Sequence, residues 1–436
     1  MTKGIQNPES GRRWVILLFL MSMVYMAHFN RQTISVAGAE RLMNQYKFTT
    51  VEMGYVYSAF LLIYTMFMTP GGWLGDRIGA VKALSLMGFS FALLEALTGA
   101  VSLFPTQSGV LFALIVIRGI AGMTSSPLHP NASRVVSRWM PLGEQPLANS
   151  LVTASAMFGI SSTYYLFGAM MDHFDWPTSF VIAGSASIVI TICWTLYASE
   201  SPYGGTDSTS SVSDPAIEVR SVTPTAPGHS DIPNTLRLLK NRNLVFLTIS
   251  YAAVGYFQYL FFYWIEHYFS DTLRLDKDTS RTYSTMSLLA MAAGMLFGGY
   301  ITKHLTNMKM RIPAMALIPI TGLLFSSVCV ILGGNAVEPK MVLFWFMLAL
   351  AGVGMCEGPM WTLAIRMGRQ YGGTAGGIFN TGGNMGGIIA PVLTPSIGER
   401  YGWDKPLWIA SAFCVVGAIM WFWIDVNEEL GTKNET

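Results

Sequence analysis

A chain of 436 residues that is 52% hydrophobic and only 12% charged is far from the roughly 25% charge of soluble domains. A formal net charge of +2 argues against a nucleic-acid surface, and Cys193, Cys329, Cys356 and Cys414 lack the C-x-x-C spacing of a redox or metal site. What remains is a multi-span membrane protein whose main surroundings are the lipid bilayer.

Apolar runs long enough to cross a hydrocarbon core of about 30 Å are predicted at 14–38, 52–75, 82–104, 109–132, 147–170 and 178–198. A second set follows at 243–269, 282–302, 312–334, 340–363, 373–395 and 406–424. The first run is too long for a signal-peptide core and no small-residue cleavage site follows it, so it is expected to stay as a helix. The pattern predicts an all-α integral membrane protein of twelve transmembrane helices in two six-helix bundles, 1–199 and 243–436. Residues 200–242, rich in Ser, Thr, Pro and Gly, form a linker between them. Most Lys and Arg fall on loops sharing a side with the amino terminus, among them Arg12, Arg13, Arg77, Lys82, Arg134, Arg138, Lys240 and Arg242. By the positive-inside rule both termini and the linker are cytoplasmic, in a plasma (inner) membrane. The chain is read as a monomer.

Two internal matches suggest a duplicated unit. GGWLGDRIGAVK (71–82) closes the second span as GGYITKHLTNMK (298–309) closes the eighth, and GMTSSP (122–127) in the fourth matches GMCEGP (354–359) in the tenth. Transporters built from repeats hold their substrate near the midplane and rock one half against the other. In GWLGDRIG (72–79), Gly72 and Gly75 permit close helix approach. Asp76 is suited to pair with Arg77 or with a helix end, and Gly79 permits a tight turn, together a conformational gate.

GGWLGDRIGAVK closely resembles the loop signature of the major facilitator superfamily, and the twelve-span pattern agrees with it over nearly the whole chain. Within it, FNRQTISVA (29–37), RGIAGMTSSPLHPNASRVVSRWMPLGE (118–144), FYWIEHYF (262–269) and GGIFNTGGNMGGIIAP (376–391) resemble the anion:cation symporter family. The resemblance implies transport of organic anions such as sugar acids, aromatic acids, sialate or glutamate, in many members with protons. It also implies that Arg31 and Arg118 line the central cavity and that Asn380 is a polar substrate contact. Where proton-coupled members carry Asp before the first-span Arg this chain has Asn30, and where they often carry Glu after the fourth-span Arg it has Ser125.

Residue chemistry bears on the same positions. A charge within a span costs somewhere between about 3 and 15 kcal/mol unless it faces a cavity or a partner. A guanidinium holds a carboxylate through two parallel hydrogen bonds. Arg31 and Arg118 are therefore read as a cradle, against the alternative that each pairs with a buried carbonyl or acid for structure alone. Glu357 stands at the repeat position of Ser125 and is the candidate for proton coupling. Glu95, Glu266 and His267 read as packing or helix-end groups. His28, one turn before Arg31, with Asn380, Tyr259 and Trp361, completes the candidate substrate site. No cofactor and no metal site are expected, since no His/Cys/acid cluster has ligand spacing. An enzyme is not expected either, for no nucleophile, base and orienting acid stand at a recognisable spacing. The expected function is secondary transport of a small organic anion such as a sugar acid by alternating access, with proton coupling open. The alternative is a facilitator or antiporter of a neutral or cationic solute.

Overall fold

The computed structural model describes residues 8–141, 144–200, 238–306, 313–368 and 372–426. The linker expected at 200–242 therefore lies almost wholly outside the described residues.

Every predicted span is helical, eleven of them as single helices. The first half holds α1 (Pro8–Ala37), α2 (Thr50–Ile78), α3 (Ala80–Ala100), α4 (Gln107–Ser125), α5 (Leu128–Trp139), α6 (Gln145–His173) and α7 (Trp176–Tyr197). The second holds α8 (Arg242–His267), α9 (Lys277–Thr306), α10 (Ala314–Asn335), α11 (Pro339–Met367), α12 (Gly372–Tyr401) and α13 (Asp404–Met420). Local chemistry sets the starts. Thr49 and Glu52 form a capping box at α2, while Asp175 accepts from Thr178 N at α7 and Asn241 from Leu244 N at α8, each satisfying an orphan N–H. The fourth predicted span is two helices, because Pro127 removes a backbone donor where α4 ends. Its repeat partner Pro359 sits inside an unbroken α11.

Alternation of the helices brings residues 79, 139, 200 and 242 to one end, the linker end. Residues 38–49, 101–106, 174–175 and 268–276 gather at the other, the far end. At the linker end Gly79, with φ of +91°, turns α2 into α3, and the Glu200 carboxylate caps α3 by accepting from Ala80 N and Val81 N. Arg138 fixes that carboxylate at 2.6 Å. At the far end α1 and α8, first helices of their halves, both run into a five-residue π turn, Gly38–Leu42 and Tyr268–Thr272.

The halves meet along α2 with α12 and along α6 with α9. Gly54 of α2 lies so close to the Pro391 carbonyl that a side chain would not fit. Ser58 donates to Ile388 O and Thr50 to Glu399. Among the described residues ten helical stretches are long and apolar enough to cross a membrane by length and composition. The helices α6 and α12 fall short of that threshold because they carry Ser, Thr, Asn and Gly, as suits helices that pack between the bundles.

Candidate functional site

Arg31 sits about four-fifths of the way along α1, between the bundles. Its guanidinium lies over the rings of Phe60 and Tyr64 from α2 and of Tyr259 from α8, at 5.1, 5.8 and 5.2 Å. It donates to the Tyr259 hydroxyl at 2.6 Å. No ion pair engages it among the described residues. Aromatic faces attract a cation without neutralising it, so the charge stays available.

Arg118 is placed differently. It is 1% exposed, lies 5.1 Å from the centroid of the same Phe60 ring, and donates to the backbone carbonyls of Arg31 at 2.6 Å and Asn30 at 3.4 Å. The Glu95 carboxylate stands 3.7 Å away and also accepts from Thr33 at 2.6 Å. Arg118 thus has a counterion and holds the segment of α1 that carries Arg31, as in the structural alternative weighed for it above. Asn30, buried, turns toward α7 and donates to Ser187 at 2.7 Å, away from Arg31.

On the linker side of Arg31, His28 and His129 meet edge to face at 5.2 Å. The His28 Nδ1 must carry its hydrogen, since its partner at 2.9 Å is the Val24 carbonyl. The second bundle supplies Glu357 on α11, which accepts from Tyr251 at 2.9 Å and from Gln258 at 2.5 Å. Trp361 donates to the Tyr251 hydroxyl at 3.1 Å, and Tyr251 stacks on Phe379 at 4.0 Å. Neither Arg31 nor Arg118 forms an ion pair with Glu357. Asn380 and Asn384 on α12 both donate to Met68 Sδ of α2, at 3.6 and 3.4 Å, a weak acceptor.

Of the residues read from sequence, Arg31, Tyr259 and Asn380 make contacts that cross between the bundles; His28 meets first-bundle partners, Glu357 and Trp361 meet second-bundle ones, and Arg118 is paired with Glu95. Phe60, Tyr64, Tyr251 and Gln258 had not been singled out. The seven-residue spacing of Tyr251 and Gln258, two turns on one face, was the signal available. In the loop motif, close approach falls at Gly71, against Ser126, and Gly75, against Asn131. At Gly72 an added Cβ would meet nothing nearer than Pro130 at 3.6 Å, so packing does not require glycine there. Arg77 lies over the Trp73 ring at 3.8 Å, and the Asp76 side chain lies outside the described part of the structure.

A model of the Major Facilitator Superfamily matches residues 17–383 and 320–436. The chain belongs to the Major Facilitator Superfamily. Within that superfamily it is 25% identical over 421 residues to a D-galactonate transporter of Escherichia coli O6:H1, covering 94% of each chain. It is 25% identical over 417 residues to a probable sulfoacetate transporter of Cupriavidus necator, covering 93% of this chain and 92% of that one. A probable galactarate/D-glucarate transporter of Bacillus subtilis is 25% identical over 386 residues, with 87% and 84% covered. Among solved structures, a bacterial homolog to the human lysosomal transporter Spinster, inward-facing and unoccupied, superposes with a TM-score of 0.77 at 15% identity, over 96% of this chain and 97% of that one. That likeness establishes the major facilitator fold, twelve spans in two bundles.

Proposed function

We propose that this transporter carries a small organic anion by alternating access, with Arg31 as the group that holds the substrate carboxylate. The observation that carries the reading is a guanidinium without an ion-pair partner among the described residues, at the meeting of the bundles, ringed by aromatic faces and phenol hydroxyls. An intramembrane cation without a protein counterion is costly, and a bound anion removes that cost. The names of the relatives, which include sugar-acid and sulfoacetate transporters, support the same substrate class. A hydroxylated acid suits the surroundings: Tyr259, Asn380, Asn384, Gln258 and Glu357 offer donors and acceptors, while the Phe379 ring is stacked on Tyr251 and the Trp361 ring meets Phe379 edge to face.

In this reading Arg118 positions α1 and does not touch substrate. Glu357, whose hydrogen-bond partners are neutral, is the group proposed to take up a proton when transport is coupled to one. The molecule works as a monomer in the plasma (inner) membrane, with the linker end cytoplasmic and the GWLGDRIG segment, Asp76 included, gating that end. Uptake by purified protein in liposomes, against a panel of sugar acids, aldaric diacids, sulfonates, aromatic acids and neutral sugars, with and without a pH gradient, tests it. Saturable uptake of a hydroxylated acid is expected. Uptake confined to neutral or cationic solutes overturns the assignment.

A further inference from the structure

At the far end, away from Arg31, one residue of the second bundle is gripped by two acids of the first. Arg281 of α9 donates through Nε and Nη2 to the two Glu40 oxygens, each at 2.6 Å, and through Nη1 to Asp172 at 2.5 Å. The contact with Glu40 is two-pronged, stronger and more directional than a single bond. Glu40 comes from the π turn after α1 and Asp172 from the last turn of α6, so both acids lie across the boundary between the bundles. The Arg281 and Glu40 side chains are 2% and 5% exposed.

A slot on α6 fits this arginine. Gly168 stands one turn before Asp172, and a Cβ added there would collide with Cδ, Nε and Cζ of Arg281. The end of the arginine stem therefore crosses α6 at the glycine, and the guanidinium reaches the carboxylate of the next turn. The neighbouring ion pairs are of another kind. Lys277, also on α9, meets Asp172 at 3.2 Å with side chains 52% and 39% exposed, where a pair contributes little. Arg41 meets Asp172 at 2.6 Å from within the first bundle, and Asp278 stands 3.6 Å from Arg281 on its own helix. Neither of those two contacts has to break when the bundles part.

We propose that Arg281, seated in the Gly168 slot, is the latch that holds the far end shut and sets the fraction of molecules open there. Parting the bundles breaks its bonds to Glu40 and Asp172 together. Asp172 then keeps Arg41, Arg281 keeps Asp278, and Glu40 gains water. Removing the arginine alone strips the buried Glu40 of the cation on both its oxygens, a loss that opening relieves by hydration. The open-to-closed ratio should then rise on the order of 100-fold. Apparent affinity from one side scales with the fraction of molecules open to that side, so the latch also limits how tightly a substrate arriving at the far end is bound. Its action does not depend on which solute Arg31 holds, or on Glu357.

Spin labels on cysteines replacing Asn44 and Thr272, exposed far-end residues of opposite bundles, report the opening in the full chain with Cys193→Ser, in lipid nanodiscs without substrate. Double electron–electron resonance should give mainly short distances in wild type and mainly long ones in Arg281→Met. Gly168→Ala keeps every charge while moving the guanidinium off its partners, so it should shift the same way, and it tests the latch even where Arg281→Met does not fold. Lys277→Met removes only the exposed pair and should stay short. Long distances in wild type, short ones in folded Arg281→Met or in Gly168→Ala, or an opening in Lys277→Met equal to that in Arg281→Met would each overturn the proposal.

Discussion

Arg31 and Arg118 are both guanidiniums in the middle of spans, and what separates them is one carboxylate. Glu95→Ala strips Arg118 of its counterion in a site 1% exposed, so stability should fall by roughly 3–5 kcal/mol, read as a lower midpoint in detergent unfolding. Replacing the pair together, Glu95→Leu with Arg118→Met, should restore folded protein and much of the substrate binding, since an apolar pair often substitutes for a buried ion pair. If Arg118 instead contacts substrate, the double variant will fold and fail to bind. The sequence marks both arginines as mid-span charges, but whether Glu95 meets one of them depends on how α3 packs beside α1 and α4, which no spacing records. Glu357 is a related case. Gln258 and Tyr251 donate to its two oxygens, so Glu357→Gln is accommodated when the Gln258 amide turns its oxygen inward. The variant should retain binding and exchange while losing accumulation driven by a pH gradient, and persistent accumulation under that force alone removes Glu357 from the coupling.

At the level of helices, small residues determine how closely backbones approach. Gly386 of α12 packs on the Ala252 carbonyl of α8, and Gly255 of α8 on the Gly383 carbonyl of α12, so the repeated glycines of GGIFNTGGNMGGIIAP serve this contact. Gly386→Val should destabilise by about 1–3 kcal/mol through overpacking, whereas Gly72→Ala, facing Pro130 at 3.6 Å, should leave the unfolding midpoint unchanged. Equal losses in the two variants would contradict this packing. The spans were legible because length and hydropathy are local properties. The break between α4 and α5 falls in the stretch TSSPLHPN (124–131), which the predicted span 109–132 ran across because the residues before it are strongly apolar. The π turns after α1 and α8 left no compositional mark, since their geometry arises where the far ends of the bundles meet.

For the whole molecule, the ion pairs of Arg281 and Lys277 with Glu40 and Asp172, and the bond from Thr50 to Glu399, close the far end. The carbonyl of Phe262 on α8 adds to this by accepting from Gln32 of α1 and from Tyr164 of α6, the latter at 2.5 Å. The proposed orientation, linker end cytoplasmic, predicts that a membrane-impermeant maleimide applied to intact cells labels Thr272→Cys and spares Ser137→Cys, and the reverse pattern inverts the topology. In the proposed mechanism, transport consists of parting these contacts while Arg31 keeps its anion. The account rests most heavily on that pairing. Calorimetric titration of a sugar acid taken up in the liposome panel, into wild type and Arg31→Ala in nanodiscs, measures it directly. Loss of a buried charged partner costs about 2–5 kcal/mol, so affinity should fall roughly 30- to 5,000-fold, with Arg31→Lys recovering only part of it because the two-pronged geometry is gone. An Arg31→Ala protein that binds the same acid with wild-type affinity would contradict the account.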